Sequence, residues 1–263
     1  MRKWEEGGKT FFVRFDSVRE MADACERDPR LEENNEEFTG VRSHAEAYKL
    51  AREGWAAELD DTLNVAESAV SKVEKEMAFP TFVAEHDVSG CEVDVARFLD
   101  GTPENMIDYP LREIVRAGKV ITLCASVCYS AAIDKDVIAK RGQAAAALAL
   151  ALSKLGYSLE IYADFSTREK MTPDDFTRRA SVRALVKGAQ DAMDPEAIAY
   201  ALCHPSMLRV LAFSAMKKMP SDYCWFGLGV PNDPIEDLPE GTLYTPCVIS
   251  SKNVPDADEQ LVE

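Results

Sequence analysis

The chain has 263 residues, 46% of them apolar, and a formal net charge of −16. That apolar share can fill a sizeable core and excludes disorder throughout, while the acidity argues against sequence-independent binding to DNA or RNA, which needs a basic surface. The start lacks a signal peptide's apolar segment and no run approaches the ~18 to 20 apolar residues of a membrane span, so the expectation is a soluble, cytosolic protein.

Residues 11–15, FFVRF, read as a short strand, and Ser17 with Glu20 has capping-box spacing that opens a helix through Cys25. The carboxylate-rich segment 26–40, with paired asparagines and a proline, reads as a solvated loop. Ser43 and Glu46 repeat the capping box before a helix that Gly54 interrupts. Leu59, Leu63, Ala66, Val70, Val73 and Met77 then form one apolar stripe along a long helix that Pro80 ends. The stripe spans too few heptads for a coiled coil, which favours packing on the chain's own core. Residues 90–101 predict a short strand and turn, and 102–111, TPENMIDYPL, a loop whose prolines exclude regular pairing.

The clearest unit lies at 119–164. KVITLCAS is a β-branched apolar run, an alanine-rich helical pattern follows, and SLEIYAD alternates after a turn at Gly156. A strand, crossover helix and strand in that order are normally parallel. Residues 166–179 read as a polar connection and ASVRALVKG as a third strand. Asp194 and Pro195 open a helix that His204 and Pro205 break, and 206–218 resume as another. From Met219 the prolines and the acidic end predict an irregular wrap and a tail.

The fold class expected is α/β, a mostly parallel sheet with helices on both faces, preceded by an N-terminal helical region. The stretches expected are 1–80 (strand, helices and acidic loop), 81–218 (α/β core) and 219–263 (C-terminal wrap).

Ligands of open α/β sheets gather beyond the carboxyl ends of the strands, which here present Cys124, Ser126, Cys128, Tyr129 and Ser130. The spacing Cys124, Ser126, Cys128 resembles in place, not in ligands, the metal-holding triplet of von Willebrand factor A domains. Thiols there replace the oxygens that a hard cation needs, so the resemblance implies a degenerate metal site. Asp134 and Asp136 could compensate, although capping the next helix is the simpler role of Asp134. Cys124 and Cys128 could instead form a redox or soft-metal pair, but the second cysteine pair or nearby histidine of a zinc site is missing and core packing fits free thiols better. The other cysteines, Cys25, Cys91, Cys203, Cys224 and Cys247, are scattered and read as reduced thiols, not a disulfide framework.

His44, His86 and His204 have no sequence link to Cys124, and no glycine-rich phosphate loop is present. Basic residues cluster at Lys140 and Arg141, at Arg178, Arg179 and Arg183, and at Lys217 and Lys218. Such clusters could receive an acidic segment or a phosphate, and otherwise read as solvated faces.

Four phrases, SHAEAYKLAREGW, ARFLDGTPENM, AKRGQAAAALALALSKLGYSLEIYA and YALCHPSMLRVLAF, together resemble an uncharacterised family of tailed-bacteriophage and prophage proteins over about 43–213. The resemblance implies a virus-derived protein acting in a bacterial host, with a von Willebrand A-like core, and carries no activity. The expectation is a non-enzymatic protein-binding or assembly module in the host cytoplasm or the virion, with a phage or host protein as partner. No catalytic residue, metal or cofactor is assigned. The binding residues expected are Cys124, Ser126, Cys128, Tyr129 and Ser130 at the strand end, with Asn105 and Met106 on a separate loop. Two alternatives stand beside it: a metal- or thiol-dependent hydrolase or transferase using Ser126, Cys124 or Asp134, and an acidic decoy of a host nucleic-acid-binding protein.

Overall fold

Alternation along FFVRF puts Phe11, Val13 and Phe15 on one side of a strand and Phe12 and Arg14 on the other, and only the first three join the main hydrophobic cluster. The structure, a computed structural model, describes residues 1–26, 35–57, 59–60, 62–64, 66–68, 80–82, 85–109, 111–113, 120–169, 178–223, 229–233 and 238–249. Strand β1 (Arg2–Glu6) turns through Gly7 and Gly8, at φ 59 and 64, into β2 (Thr10–Phe15). Ser17 caps α1 (Val18–Cys25) by accepting from the Glu20 amide at 2.9 Å, as the sequence predicts. After α2 (Glu36–Thr39), Ser43 caps α3 (His44–Glu53) in the same way and Gly54 closes it.

Of the predicted long stripe, Ala66 is fully buried against Ala147 and Leu150, with Leu63 beside it. Val70, Val73 and Met77 lie outside the described residues, as do 27–34 of the acidic loop. A small excursion follows: β3 (Pro80–Phe82), β4 (Glu85–Asp87), β5 (Glu92–Val93), α4 (Val95–Leu99), β6 (Met106–Asp108) and β7 (Leu111–Glu113). Here the structure corrects the expectation of an unpaired loop at 102–111. Met106–Asp108 contains no proline, so every residue keeps its ladder donor, and it pairs with β4 on one side and β5 on the other.

The central unit forms as predicted. Strand β8 (Val120–Ser126), helix α5 (Lys135–Lys154) and strand β9 (Ser158–Arg168) make a crossover in which β8 and β9 are parallel, with Leu123 opposite Ile161. Asp134 holds the cap position of α5 but makes no side-chain capping bond. Strand β9 extends three residues into the stretch read as a polar connection. After it come β10 (Arg179–Lys187), α6 (Pro195–Cys203), a π-helical segment Met207–Ala212 running into α7 (Phe213–Met216), β11 (Val230–Asn232) and β12 (Leu243–Thr245). The last two strands replace part of the expected irregular wrap.

One seven-stranded sheet results, in the order β1-β2-β10-β9-β8-β12 with β11 against the far end of β9. It draws strands from all three stretches of the chain. Pairing is parallel at β8/β9, β8/β12 and β2/β10, and antiparallel at β1/β2, β9/β10 and β9/β11.

The helices that join the main core cluster do so with one set of alternating sheet residues, including Phe11, Val13, Leu123, Ile161, Ala163 and Val182. Among the described residues the helix layer is therefore on one face, which corrects the expected two-sided, doubly wound cover. The physical reason is visible in the other face, where β2, β9 and β10 present Arg14, Asp164, Ser166, Ser181 and Arg183, all buried. An apolar helix face has little to gain against that row. Asp164 is fully buried and accepts from Arg183 Nε at 2.8 Å, from Ser166 Oγ at 2.6 Å and from Ser181 Oγ at 3.4 Å. Arg183 therefore has a structural partner and is not on a solvated face. No single helix among the described residues is long and apolar enough to cross a membrane.

Candidate functional site

At the carboxyl end of β8 the strand leaves the sheet through Val127 and Cys128, and the C-terminal segment closes over it. Strand β12 pairs with Leu123, Cys124 and Ala125, Tyr129 bridges to Val248, and the Ser130 amide donates to the Val248 carbonyl at 2.9 Å. The Thr245 hydroxyl accepts from the Ser126 amide at 3.0 Å, and Ser126 Oγ accepts from the Cys128 amide at 3.3 Å. Cys124, Ser126, Cys128 and Tyr129 are buried and Ser130 half-buried. Burial drives the Cys128 thiol well above its ordinary range, with Cys247 adding to it, and raises Tyr129 to about 12 against the opposing pull of Arg141. A thiol so held stays protonated near neutral pH, which is the wrong state for a nucleophile or a soft-metal ligand. Arg141 itself is buried and donates to the Pro246 carbonyl. Among the described residues no group of three or more His, Cys, Asp and Glu side chains is placed to hold a metal ion.

His204, read from sequence as a helix breaker, is the buried hinge between α6 and the π-helical segment. Its Nδ1 accepts from the Ser206 amide at 3.2 Å and meets Ser206 Oγ at 2.8 Å, while Tyr200 Oη reaches Ser206 Oγ at 3.2 Å. Burial lowers its pKa to about 4.

Asn105 and Met106 belong to a different place, the three-stranded β4-β6-β5 sheet with α4. The segment folds for local reasons. Asp94 caps α4 by accepting from the Ala96 and Arg97 amides at 3.1 and 3.2 Å, and its other oxygen lies 3.0 Å from His86 Nε2. The Arg97 amide, followed by His86, holds the Asp94 carboxyl below its usual range. Asn105 ties the return: its carbonyl accepts from the Asp94 amide at 2.8 Å and its side chain donates to the Thr102 carbonyl at 2.8 Å. Tyr109 donates to Glu92 at 3.0 Å. Asn105 and Met106 are thus the frame of this unit, with Met106 in its central strand.

What the unit exposes is the informative part. Val88, Val93, Val95, Phe98 and Leu99 are all large, apolar and solvent-exposed, Phe98 at 60% and Leu99 at 77%. Within residues 85–109 they are interleaved with seven carboxylates and one arginine, Arg97. Single exposed apolar residues are ordinary, whereas five on one short unit are not. Sequence reading missed them because a five-residue helix has too few turns to show which side chains it leaves unpartnered.

Residues 3–261 match the family model described as Domain of unknown function (DUF7192). The chain belongs to the DUF7192 family. No curated protein and no solved structure matches it. The DUF7192 match covers nearly the whole chain, so the sheet, its one-sided helix layer and the exposed 85–109 unit all fall inside the family's extent.

Proposed function

We propose that this chain is a phage-encoded, non-enzymatic protein-binding module that engages a partner in the bacterial host or the virion through the 85–109 unit. The observation that carries the reading is the group of exposed apolar side chains on α4, led by Phe98 and Leu99, in a segment that also carries seven carboxylates. Apolar contacts supply the affinity of such a surface, and the acidic residues of the segment favour a partner with basic residues at its edge. A second copy of this chain, at −16, would be repelled.

The phage origin is supported by the likeness of the four phrases to prophage proteins. The von Willebrand A-like reading keeps one support, the parallel crossover that ends at Cys124, Ser126 and Cys128, while the one-sided helix layer speaks against it.

The test is a pull-down from extract of a host carrying the phage, using the wild-type chain and the double variant Phe98→Ser, Leu99→Ser. Both side chains are exposed, so melting temperature should not change. The expected result is a protein retained by the wild type and lost by the variant, with retention falling as salt rises. Equal retention by both, or no retained protein at any salt concentration, overturns the assignment. Competition by DNA would identify the captured protein as a nucleic-acid-binding factor and make the chain its decoy.

A further inference from the structure

Helix α4 is oriented the wrong way round for a helix that serves only its own fold. Val95, Phe98 and Leu99 stand at i, i+3 and i+4, which places them on one side of the helix, and all three are exposed. The half-buried residue of the five is Arg97, whose Nη1 donates to the Glu104 carbonyl at 3.3 Å. A helix packed for its own core would bury the apolar side and show the arginine.

Both ends of the helix are closed without help from a partner. Asp94 accepts from the Ala96 and Arg97 amides at the start. At the end the Gly101 amide donates to the Phe98 carbonyl at 3.1 Å and the Thr102 amide to the Arg97 carbonyl at 3.0 Å, the nested pair of bonds that terminates a helix at a left-handed residue. Gly101 supplies that residue, with φ 71. Five residues are too few to stay helical unaided, so these closures fix the directions in which the three apolar side chains point. Directions fixed beforehand reduce the entropy lost on binding.

The spacing of the three side chains also selects a kind of partner. Anchors at i, i+3 and i+4 are those with which a helix fills an apolar groove, whereas strand addition at a sheet edge reads side chains two apart. Carboxylates set the margin of that groove. Glu92 precedes the helix, Asp100 and Glu104 follow it, and all three are exposed. They favour Lys or Arg on the receiving protein. The same carboxylates oppose a lipid surface, which amphipathic helices reach with a face rich in Lys and Arg.

Resting on the docking role of the 85–109 unit, we propose that α4 is a preformed recognition helix and that its partner is a protein with an apolar groove, bordered by Lys or Arg, that receives Val95, Phe98 and Leu99 together. The probe is the protein captured from host extract by the wild-type chain, purified and titrated by calorimetry against full-length variants. Val95→Ser should weaken binding about fivefold or more, since it removes the third anchor of the face. Gly101→Ala should weaken it severalfold although no apolar side chain changes, because a Cβ there meets nothing within 4 Å and only the closure of the helix is disturbed. Val88→Ser, at an exposed apolar residue outside the helix, should leave affinity within about twofold. A benzophenone amino acid in place of Phe98 should crosslink to apolar residues of the captured protein that have Lys or Arg beside them.

Binding lost in the Phe98→Ser, Leu99→Ser double variant but unchanged in both Val95→Ser and Gly101→Ala keeps the docking unit and overturns the recognition helix. A loss in Val88→Ser as large as that in Val95→Ser, or crosslinks to an acidic stretch, overturns it as well. Equal binding by the double variant, or no captured protein, removes the docking reading and this inference with it. Flotation of the chain with phosphatidylcholine vesicles, abolished by Val95→Ser, would put a bilayer in place of the groove.

Discussion

Asp164 and His204 are two buried ionisable side chains, and each makes a measurable prediction. Removing the Asp164 carboxylate takes from Arg183 its buried ion-pair partner, a change that costs about 3–5 kcal/mol in buried pairs. Asp164→Ala should lose that amount in urea denaturation, whereas Asp222→Ala, at an exposed pair with Arg178, should change stability by less than about 1 kcal/mol. For His204, the Ser206 amide donates to Nδ1, so the proton sits on Nε2 and a second proton would break that bond. Its folded pKa of about 4 lies below the ordinary histidine value of 6.5, so the unfolded chain binds the extra proton first as pH falls. The resulting stability is fully present above pH 6.5 and is lost progressively down to pH 4, by about 3 kcal/mol in total. Denaturant titrations across that window should show a steeper decline for the wild type than for His204→Asn, and parallel declines would contradict the buried neutral imidazole. Neither role was legible from sequence. A lone aspartate in SLEIYAD reads as the polar half of an alternating strand, and only the pairing of β9 with β10 sets Arg183 opposite Asp164.

Among the elements, α5 and α6 meet more closely than their sequences announce. A Cβ on Gly142 would lie 2.1 Å from the Leu202 carbonyl oxygen and 2.4 Å from the Cys203 Cα, both backbone atoms that cannot swing aside. Gly142→Ala should therefore destabilise the fold by at least about 1–3 kcal/mol through forced separation of the helices, despite the better helix propensity of alanine. A melting temperature equal to or above wild type would show that the helices part easily. The β8–α5–β9 unit was legible because its strands and 20-residue helix are long enough for their periods to show, and its caps and turns carry the expected residues. Strands β4 to β7, β11 and β12 are three residues or shorter, less than one clear alternation, and were read as loops or at most as one short strand. Strand β10 was recognised, but a sequence run carries no direction. Its antiparallel pairing with β9 is set by the return of the chain and not by residue preference.

At the scale of the molecule, the sheet and the 85–109 unit differ in where they put their apolar side chains. The sheet buries an apolar face under helices and a charged face in hydrogen bonds, while the 85–109 unit holds its apolar residues out to solvent. The class of fold and the α/β centre could be read from the sequence. The exposure of the apolar residues in the 85–109 unit depends on which neighbours fail to cover them, which no local pattern encodes. Hydrogen exchange of the chain alone and bound to the protein captured from host extract tests the central claim most directly. Docking through α4 predicts slowed exchange across residues 92–108 in the complex, with no comparable change at 126–130. Slowed exchange at 126–130 with 92–108 unaltered would contradict it, and would return the interface to the strand end beneath β12.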